Sequence, residues 1–173
     1  KKIKWIKKIF IMIKKIILLL FTYTILTTNV FSAGSSGGDG AKKLSSYDSA
    51  VNRIKKAKKY ETKGKEKKAK KMYNEALKYL YKANKEKPFD PDTLNYLGFA
   101  NRKIDNIKDA EIYYLMGLEI DPKHNGINEY LGELYVYTDR HNLAVERLEV
   151  LKSCNCEEYE QLKSVIAGEA SKY

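Results

Sequence analysis

The sequence predicts an all-α fold, an α-solenoid of three helix-turn-helix hairpins followed by a C-terminal capping helix. Two observations predict it. Small and apolar residues recur at a step of 34 residues, and proline recurs at the same step. Repeats of this length contain two helices each, and they stack because a single hairpin cannot bury its apolar face.

Residues 1–32 have the layout of a secretory signal peptide. Lys14 and Lys15 precede an apolar stretch, and the segment ends in the small-residue run around Ser32 and Ala33. That order of charge, apolar stretch and small residues predicts export and cleavage next to Ala33. Met12 would make a normal start for such a peptide, which would place residues 1–11 upstream of the true start.

The alternative for the same segment is an uncleaved membrane anchor. The apolar stretch after Lys15 is shorter than the roughly 20 apolar residues that a spanning helix needs, and threonines interrupt it. In both cases the lysines are expected to stay inside, so the folded part lies outside the cytoplasm. The predicted location is the periplasm, with an inner-membrane anchor facing the periplasm as the alternative.

Residues 33–46 are predicted to be a flexible linker. Six of the seven residues from 34 to 40 are glycine or serine. Such a composition cannot bury apolar area, so the segment is expected to tether the folded part.

The repeats are predicted over residues 47–156, in the registers 57–90, 91–124 and 125–158. Proline after Asp, at Pro91 and Pro122, marks the boundaries between hairpins, because proline is tolerated in the first turn of a helix and Asp is a good N-cap. Asp105-Asn106 and Asp139-Arg140 mark the turns inside the second and third hairpins. The columns that repeat every 34 residues are Gly64, Gly98 and Gly132; Ala76, Ala110 and Ala144; Leu80, Tyr114 and Leu148; Ala83, Gly117 and Leu151; and Pro88 and Pro122.

Residues 157–173 are predicted to form the capping helix. Tyr159, Leu162, Val165 and Ile166 fall on one face, as expected of a helix that covers the last hairpin and exposes its other side.

These columns resemble the tetratricopeptide repeat (TPR) family. The middle unit carries the resemblance with Leu97-Gly98, Ala110, Tyr114, Gly117 and Pro122, and it departs at Asn101, where the family usually has tyrosine. The third unit has Asn128 where tryptophan is usual. The first unit is the weakest match, since Lys63 and Lys67 stand at apolar columns.

The resemblance implies that the first helix of each unit lines a concave groove that binds a peptide or helix of another protein. The residues that would line it are Asn95, Phe99, Arg102, Lys103, Glu129, Glu133 and Tyr137. Aromatic side chains beside charges suit peptide anchoring. The leading functional hypothesis is therefore an exported scaffold that binds an envelope protein.

Charge divides the folded part in two. Residues 53–87 contain 15 basic and four acidic residues, whereas residues 88–173 contain nine basic and 16 acidic ones. This polarity could orient an acidic partner, or the lysines could simply solvate exposed helices. Nucleic acid is not expected as the partner of an exported chain, despite the net charge of +11.

Cys154 and Cys156 are the two cysteines of the chain. In an oxidising compartment they are expected to pair, with free thiols or a redox role as alternatives. His124 and His141 have no partners at a zinc spacing, and no catalytic motif is found, so neither a metal, a cofactor nor enzymatic activity is predicted. Two alternative functions remain: a membrane-anchored structural subunit of an envelope complex, and a thiol-redox accessory protein that uses the two cysteines.

Overall fold

A computed structural model of the chain describes residues 44–169 and residue 171. The predicted signal peptide and most of the predicted linker lie outside these residues. Within them the chain forms seven α-helices and no strand. The helices are α1 (Ser46–Glu61), α2 (Glu66–Glu86), α3 (Pro91–Lys103), α4 (Ile107–Ile120), α5 (Asn125–Tyr137), α6 (His141–Leu151) and α7 (Glu157–Ile166). The predicted all-α fold class is confirmed.

The helices pair in sequence order. α1 packs on α2, α3 on α4 and α5 on α6, and consecutive hairpins meet through α2 with α3 and α4 with α5. α7 covers α5 and α6, the place predicted for a capping helix. None of the helices in the described part of the chain has both the length and the apolar character needed to cross a membrane.

Side-chain caps fix where α1, α3 and α5 begin, at Ser45, Asp90 and His124. Ser45 Oγ accepts a hydrogen bond from the backbone N–H of Asp48 at 3.0 Å, and Asp90 Oδ2 accepts one from Thr93 N–H at 3.1 Å. Pro91 occupies the first turn of α3, where its missing N–H costs nothing. α1 starts at Ser46, so its first residue was wrongly included in the predicted linker.

The three turns inside the hairpins share one geometry. Gly64, Asp105 and Asp139 have left-handed φ values of 64°, 70° and 57°. In each turn the next residue donates its N–H to a carbonyl five residues earlier, at 2.8 to 2.9 Å, which closes the end of the helix. The turns predicted at Asp105 and Asp139 are confirmed.

Gly64 was wrongly aligned with Gly98 and Gly132. The two later glycines lie inside helices, whereas Gly64 lies in a turn. The turn geometry aligns Gly98 with Ala57, which is 41 residues earlier and fully buried. The predicted first register, 57–90, is therefore wrong: α2 has 21 residues against 14 in α4, and the first hairpin spans Ser46 to Glu86. α3 and α5 begin at residues 91 and 125, which are the first residues of the second and third predicted registers.

Small residues allow the helices to approach closely. Ala69, Ala110 and Ala144 each lie five residues after the turn residue of their hairpin, and all three are buried. A Cβ atom on Gly98 would overlap the ring of Tyr114 on the partner helix. The glycine is required there because the aromatic ring fills the space that a side chain would need.

An aromatic row joins the hairpins. The ring of Phe99 lies 5.9 Å from Tyr73 and 5.1 Å from Tyr130, and Tyr130 lies 6.5 Å from Tyr114. These rings come from α2, α3, α4 and α5, and the half-buried Tyr130 packs against both clusters of buried core residues, one formed by α1, α2 and α3 and the other by α4, α5 and α6.

Candidate partner-binding groove

The inner groove is defined here as the surface formed by the first helices of the hairpins, α1, α3 and α5, together with α7. The residues predicted to line it all lie on α3 and α5. They do not form one continuous surface. Asn95 and Glu129 line one cavity, Arg102, Lys103, Glu133 and Tyr137 line another, and Phe99 is buried between the helices.

Phe99 was predicted to be an accessible anchor, and this is wrong. Its side chain is fully buried between Tyr73 and Tyr130, and the ammonium of Lys58 lies 4.6 Å from its ring centroid. α3 is the central helix, so it packs on α4 and on both neighbouring hairpins and buries residues around most of its circumference. Phe99 therefore stabilises the fold and is not available to a partner.

The first cavity, called the Arg102 cavity, has a volume of about 420 Å³. Arg102 Nη1 donates to Glu133 Oε2 at 2.7 Å, with side chains 11% and 2% exposed. Ser171 Oγ donates to the other oxygen of Glu133 at 2.9 Å. Arg102 Nη2 is buried and has no hydrogen-bond partner among the described residues. A buried guanidinium with a spare N–H is suited to donate a hydrogen bond to a carbonyl or carboxylate oxygen.

The rim of this cavity combines apolar and charged side chains. Tyr137 is 70% exposed, and Val136 and Val165 lie beside it. Lys103 Nζ lies 3.0 Å from Glu61 Oε1, so α1 contributes to the same cavity. An exposed tyrosine next to a buried arginine is the combination found at the centres of protein interfaces.

The second cavity, called the Glu129 cavity, has a volume of about 270 Å³ and lies between the beginnings of α3, α5 and α7. Asn95 is 8% exposed and Glu129 is 3% exposed. Burial, with Glu133 and Glu158 nearby, raises the pKa of Glu129 to about 8. His124 Nδ1 accepts from Ile127 N–H at 3.2 Å, and its Nε2 lies 3.1 Å from Asp92 Oδ1.

A third cavity, which the sequence did not indicate, lies at the turn between α1 and α2. Its volume is about 650 Å³, and Lys58, Glu61, Gly64 and Lys103 contribute to its lining. Burial, together with the charge of Lys103, lowers the pKa of Lys58 to about 8. The sequence did not single out Lys58, because it stands in a run of lysines in which nothing distinguishes a half-buried lysine from an exposed one.

The two cysteines form a disulfide in the connection between α6 and α7. Cys154 and Cys156 are joined by their sulfurs, and Asn155 between them has a left-handed φ of 48°. Cys156 is the N-cap residue of α7. Within the described part of the chain no group of three or more His, Cys, Asp or Glu side chains is arranged to hold a metal ion.

No protein-family model matches the chain, and no curated protein matches it. Solved structures with a similar fold do exist. The Yersinia enterocolitica type III secretion translocator chaperone SycD, in an alternative dimer, is 17% identical, with a TM-score of 0.51 over 70% of this chain and 88% of that one. The first TPR of Spaghetti (RPAP3) bound to an HSP90 peptide is 16% identical, with a TM-score of 0.43 over 70% of this chain and 95% of that one. The CopN-Scc3 complex is 15% identical, with a TM-score of 0.41 over 88% of this chain and 96% of that one.

The similarity to the translocator chaperone agrees with the helical architecture described above. The chain has a TPR-like helical fold, an all-α solenoid of stacked hairpins. At this level of identity the comparison concerns the fold, and a function must be argued from the cavities of the chain itself.

Proposed function

We propose that the chain is a protein-interaction module that binds a peptide or helix of another protein in the inner groove. The observation that carries the proposal is the Arg102 cavity. A buried guanidinium has a donor without a partner there, and Tyr137 is exposed at its rim. A backbone carbonyl or carboxylate of a bound segment would complete the hydrogen bonding of Arg102, while Tyr137 would pack on its apolar side chains.

Glu133 supports this arrangement by holding Arg102 in place. Its two oxygens accept from Arg102 Nη1 and Ser171 Oγ, so the guanidinium cannot swing away from the cavity without breaking a buried ion pair. A rigid donor loses little conformational entropy on binding. The cavity is thus organised before a partner arrives.

The test is affinity capture with two matched tyrosine variants. The tagged protein is used to capture partners from envelope extracts, which mass spectrometry then identifies. Tyr137→Ala is expected to lose the partner. Tyr81→Ala changes an exposed tyrosine of α2 that lines neither cavity and should keep it. Equal recovery by both variants would refute the groove model.

The predicted location leads to a second part of the proposal: the module is exported, and its partner is an envelope protein. The support is the order of lysines, apolar stretch and small residues in residues 1–32. Sequencing the N-terminus of the mature protein tests it. A mature N-terminus next to Ala33 is expected, whereas a retained segment that pellets with membranes after a salt wash would favour the anchored alternative.

A further inference from the structure

The Glu129 cavity contains two buried oxygen atoms that the fold leaves unused. Asn95 Oδ1 and Glu129 Oε1 are both buried and have no hydrogen-bond partner among the described residues. Each belongs to a side chain that is more than nine-tenths buried and that lines the cavity. Asn95 Oδ1 can only accept a hydrogen bond, and the same is true of Glu129 Oε1 when the carboxyl is ionised. The group that would satisfy both atoms is therefore a hydrogen-bond donor.

The charge around these atoms favours a cationic donor. Of the described residues that line the cavity, four are acidic and none is lysine or arginine; the acidic ones are Asp92, Glu129, Glu157 and Glu158. The carboxylates of α7 alone would need no ligand, because acidic residues in a first turn stabilise the positive end of a helix. Glu129 has no such explanation, since it lies in the second turn of α5 and is buried.

Aromatic side chains provide the remaining wall. Tyr96 and Tyr130 both line the cavity, and Tyr96 is held by an edge-to-face contact with Tyr47 at 5.8 Å. Tyrosine rings pack on a methylene chain and attract a cation through their faces. Carboxylate, amide oxygen and two phenol rings together match the end and the stem of a lysine side chain.

We propose that the Glu129 cavity binds the ammonium group of a lysine side chain supplied by the partner protein. The ammonium donates hydrogen bonds to Glu129 Oε1 and Asn95 Oδ1, and its methylene chain lies against Tyr96 and Tyr130. Lysine suits the cavity better than arginine, because an ammonium is a compact donor, whereas the planar guanidinium requires a wider fork of acceptors. That the lysine comes from a protein rests on the proposed function; the cavity itself can be tested alone.

The probe is the peptide acetyl-Ala-Ala-Lys-Ala-Ala-amide, with a control peptide in which norleucine replaces lysine. Backbone amide NMR follows the signal of Gly126, which lines the cavity. The lysine peptide should shift this signal in a saturable way, and the norleucine peptide should not. Glu129→Gln should weaken binding about tenfold or more, because it removes a hydrogen bond between charged groups. Glu119→Gln, the same change on the exposed side of α4, should leave binding unchanged.

Two results would overturn the inference: equal shifts with both peptides, or unchanged binding in Glu129→Gln. If that variant does not fold, Glu158→Gln on the half-buried wall replaces it and should weaken binding severalfold. Failure here is distinguishable from failure of the proposed function. If Tyr137→Ala still loses the captured partner while the lysine peptide does not bind, the lysine site is wrong and the interaction module stands.

Discussion

The buried carboxyl group of Glu129 should make the stability of the fold depend on pH. Burial is the main cause of its raised pKa of about 8, and the negative charges of Glu133 on the same helix and Glu158 on α7 add to it. Arg102 on α3 and Lys58 on α1 act in the opposite direction. At neutral pH, with no ligand in the Glu129 cavity, most of the folded molecules therefore carry this carboxyl in its protonated form, and binding of an ammonium there would release the proton.

Whether a rise in pH stabilises or destabilises the fold depends on the pKa of Glu129 in the folded and in the unfolded chain. In the unfolded chain the group titrates near 4.5, and in the folded chain near 8. Between these values the folded state binds a proton that the unfolded state has released, so the free energy of unfolding falls as the pH rises. The pKa difference corresponds to a loss of roughly 5 kcal/mol at most by pH 8 and above, at about 1.4 kcal/mol per pH unit.

Glu129→Gln removes this titration while keeping the size of the side chain. Urea unfolding followed by circular dichroism at pH 5, 6, 7 and 8 measures the free energy of unfolding of both proteins. We expect the variant to gain stability relative to the parent chain across this range. Glu119→Gln, at an exposed position of α4, controls for the loss of one carboxylate.

The comparison should stop near pH 8 because Lys58 titrates there. Its lowered pKa means that the folded state loses the Lys58 proton before the unfolded state does, so stability rises again as the pH climbs from about 8 towards 10.5. A constant difference between Glu129→Gln and the parent chain from pH 5 to pH 8 would refute the reasoning. It would mean that the Glu129 carboxyl titrates in the folded protein as it does in water.

Three further substitutions test the packing and the caps by urea unfolding. Gly98→Ala places a methyl group against the ring of Tyr114 and should cost about 1–3 kcal/mol; an unchanged midpoint would show that the ring can move aside. Asp90→Ala removes the cap of α3 and should cost about 1 kcal/mol, so full stability would argue against the cap. Arg140→Lys breaks a two-point contact with Glu111, at 2.7 and 2.9 Å, and should cost about 0.5–1 kcal/mol in low salt and less in high salt.

The sequence was sufficient to predict the second and third hairpins. Asp105 and Asp139 lie 34 residues apart and adopt the same left-handed turn conformation. Ala110 and Ala144 occupy equivalent buried positions. Where the repeat length is constant, a shared column means a shared environment, so the pattern predicts packing directly.

The first hairpin was misaligned for a physical reason. α2 is seven residues longer than α4, which is almost two full helical turns. An extension of two turns rotates the helix by only about 20° from its original face, so the apolar spacing continues without a visible break. Gly64 then falls on the 34-residue step by coincidence, whereas the true counterpart of Gly98 is Ala57.

The candidate site was only partly accessible to sequence reasoning. Periodicity identified α3 as a helix that contacts its hairpin partner, but it could not show that Tyr73 and Tyr130 from the adjacent hairpins close over Phe99. The same limitation hid Lys58, which lies over the ring of Phe99 although the other lysines of its run, Lys55, Lys56 and Lys59, are exposed. Burial of a repeat residue depends on the adjacent repeats, which the pattern within one unit does not describe.

The placement of unsatisfied polar atoms connects the fold to the proposed function. Within the described part of the chain, five buried side-chain atoms lack a hydrogen-bond partner, and three of them belong to Asn95, Arg102 and Glu129. Each such atom costs about 1–3 kcal/mol, and a hydrophobic residue of similar size would avoid the cost. All three line the two cavities of the inner groove. A ligand that brings an acceptor to Arg102 and a donor to Asn95 and Glu129 would recover this energy on binding. The inner groove is therefore the surface on which a partner would gain the most binding free energy.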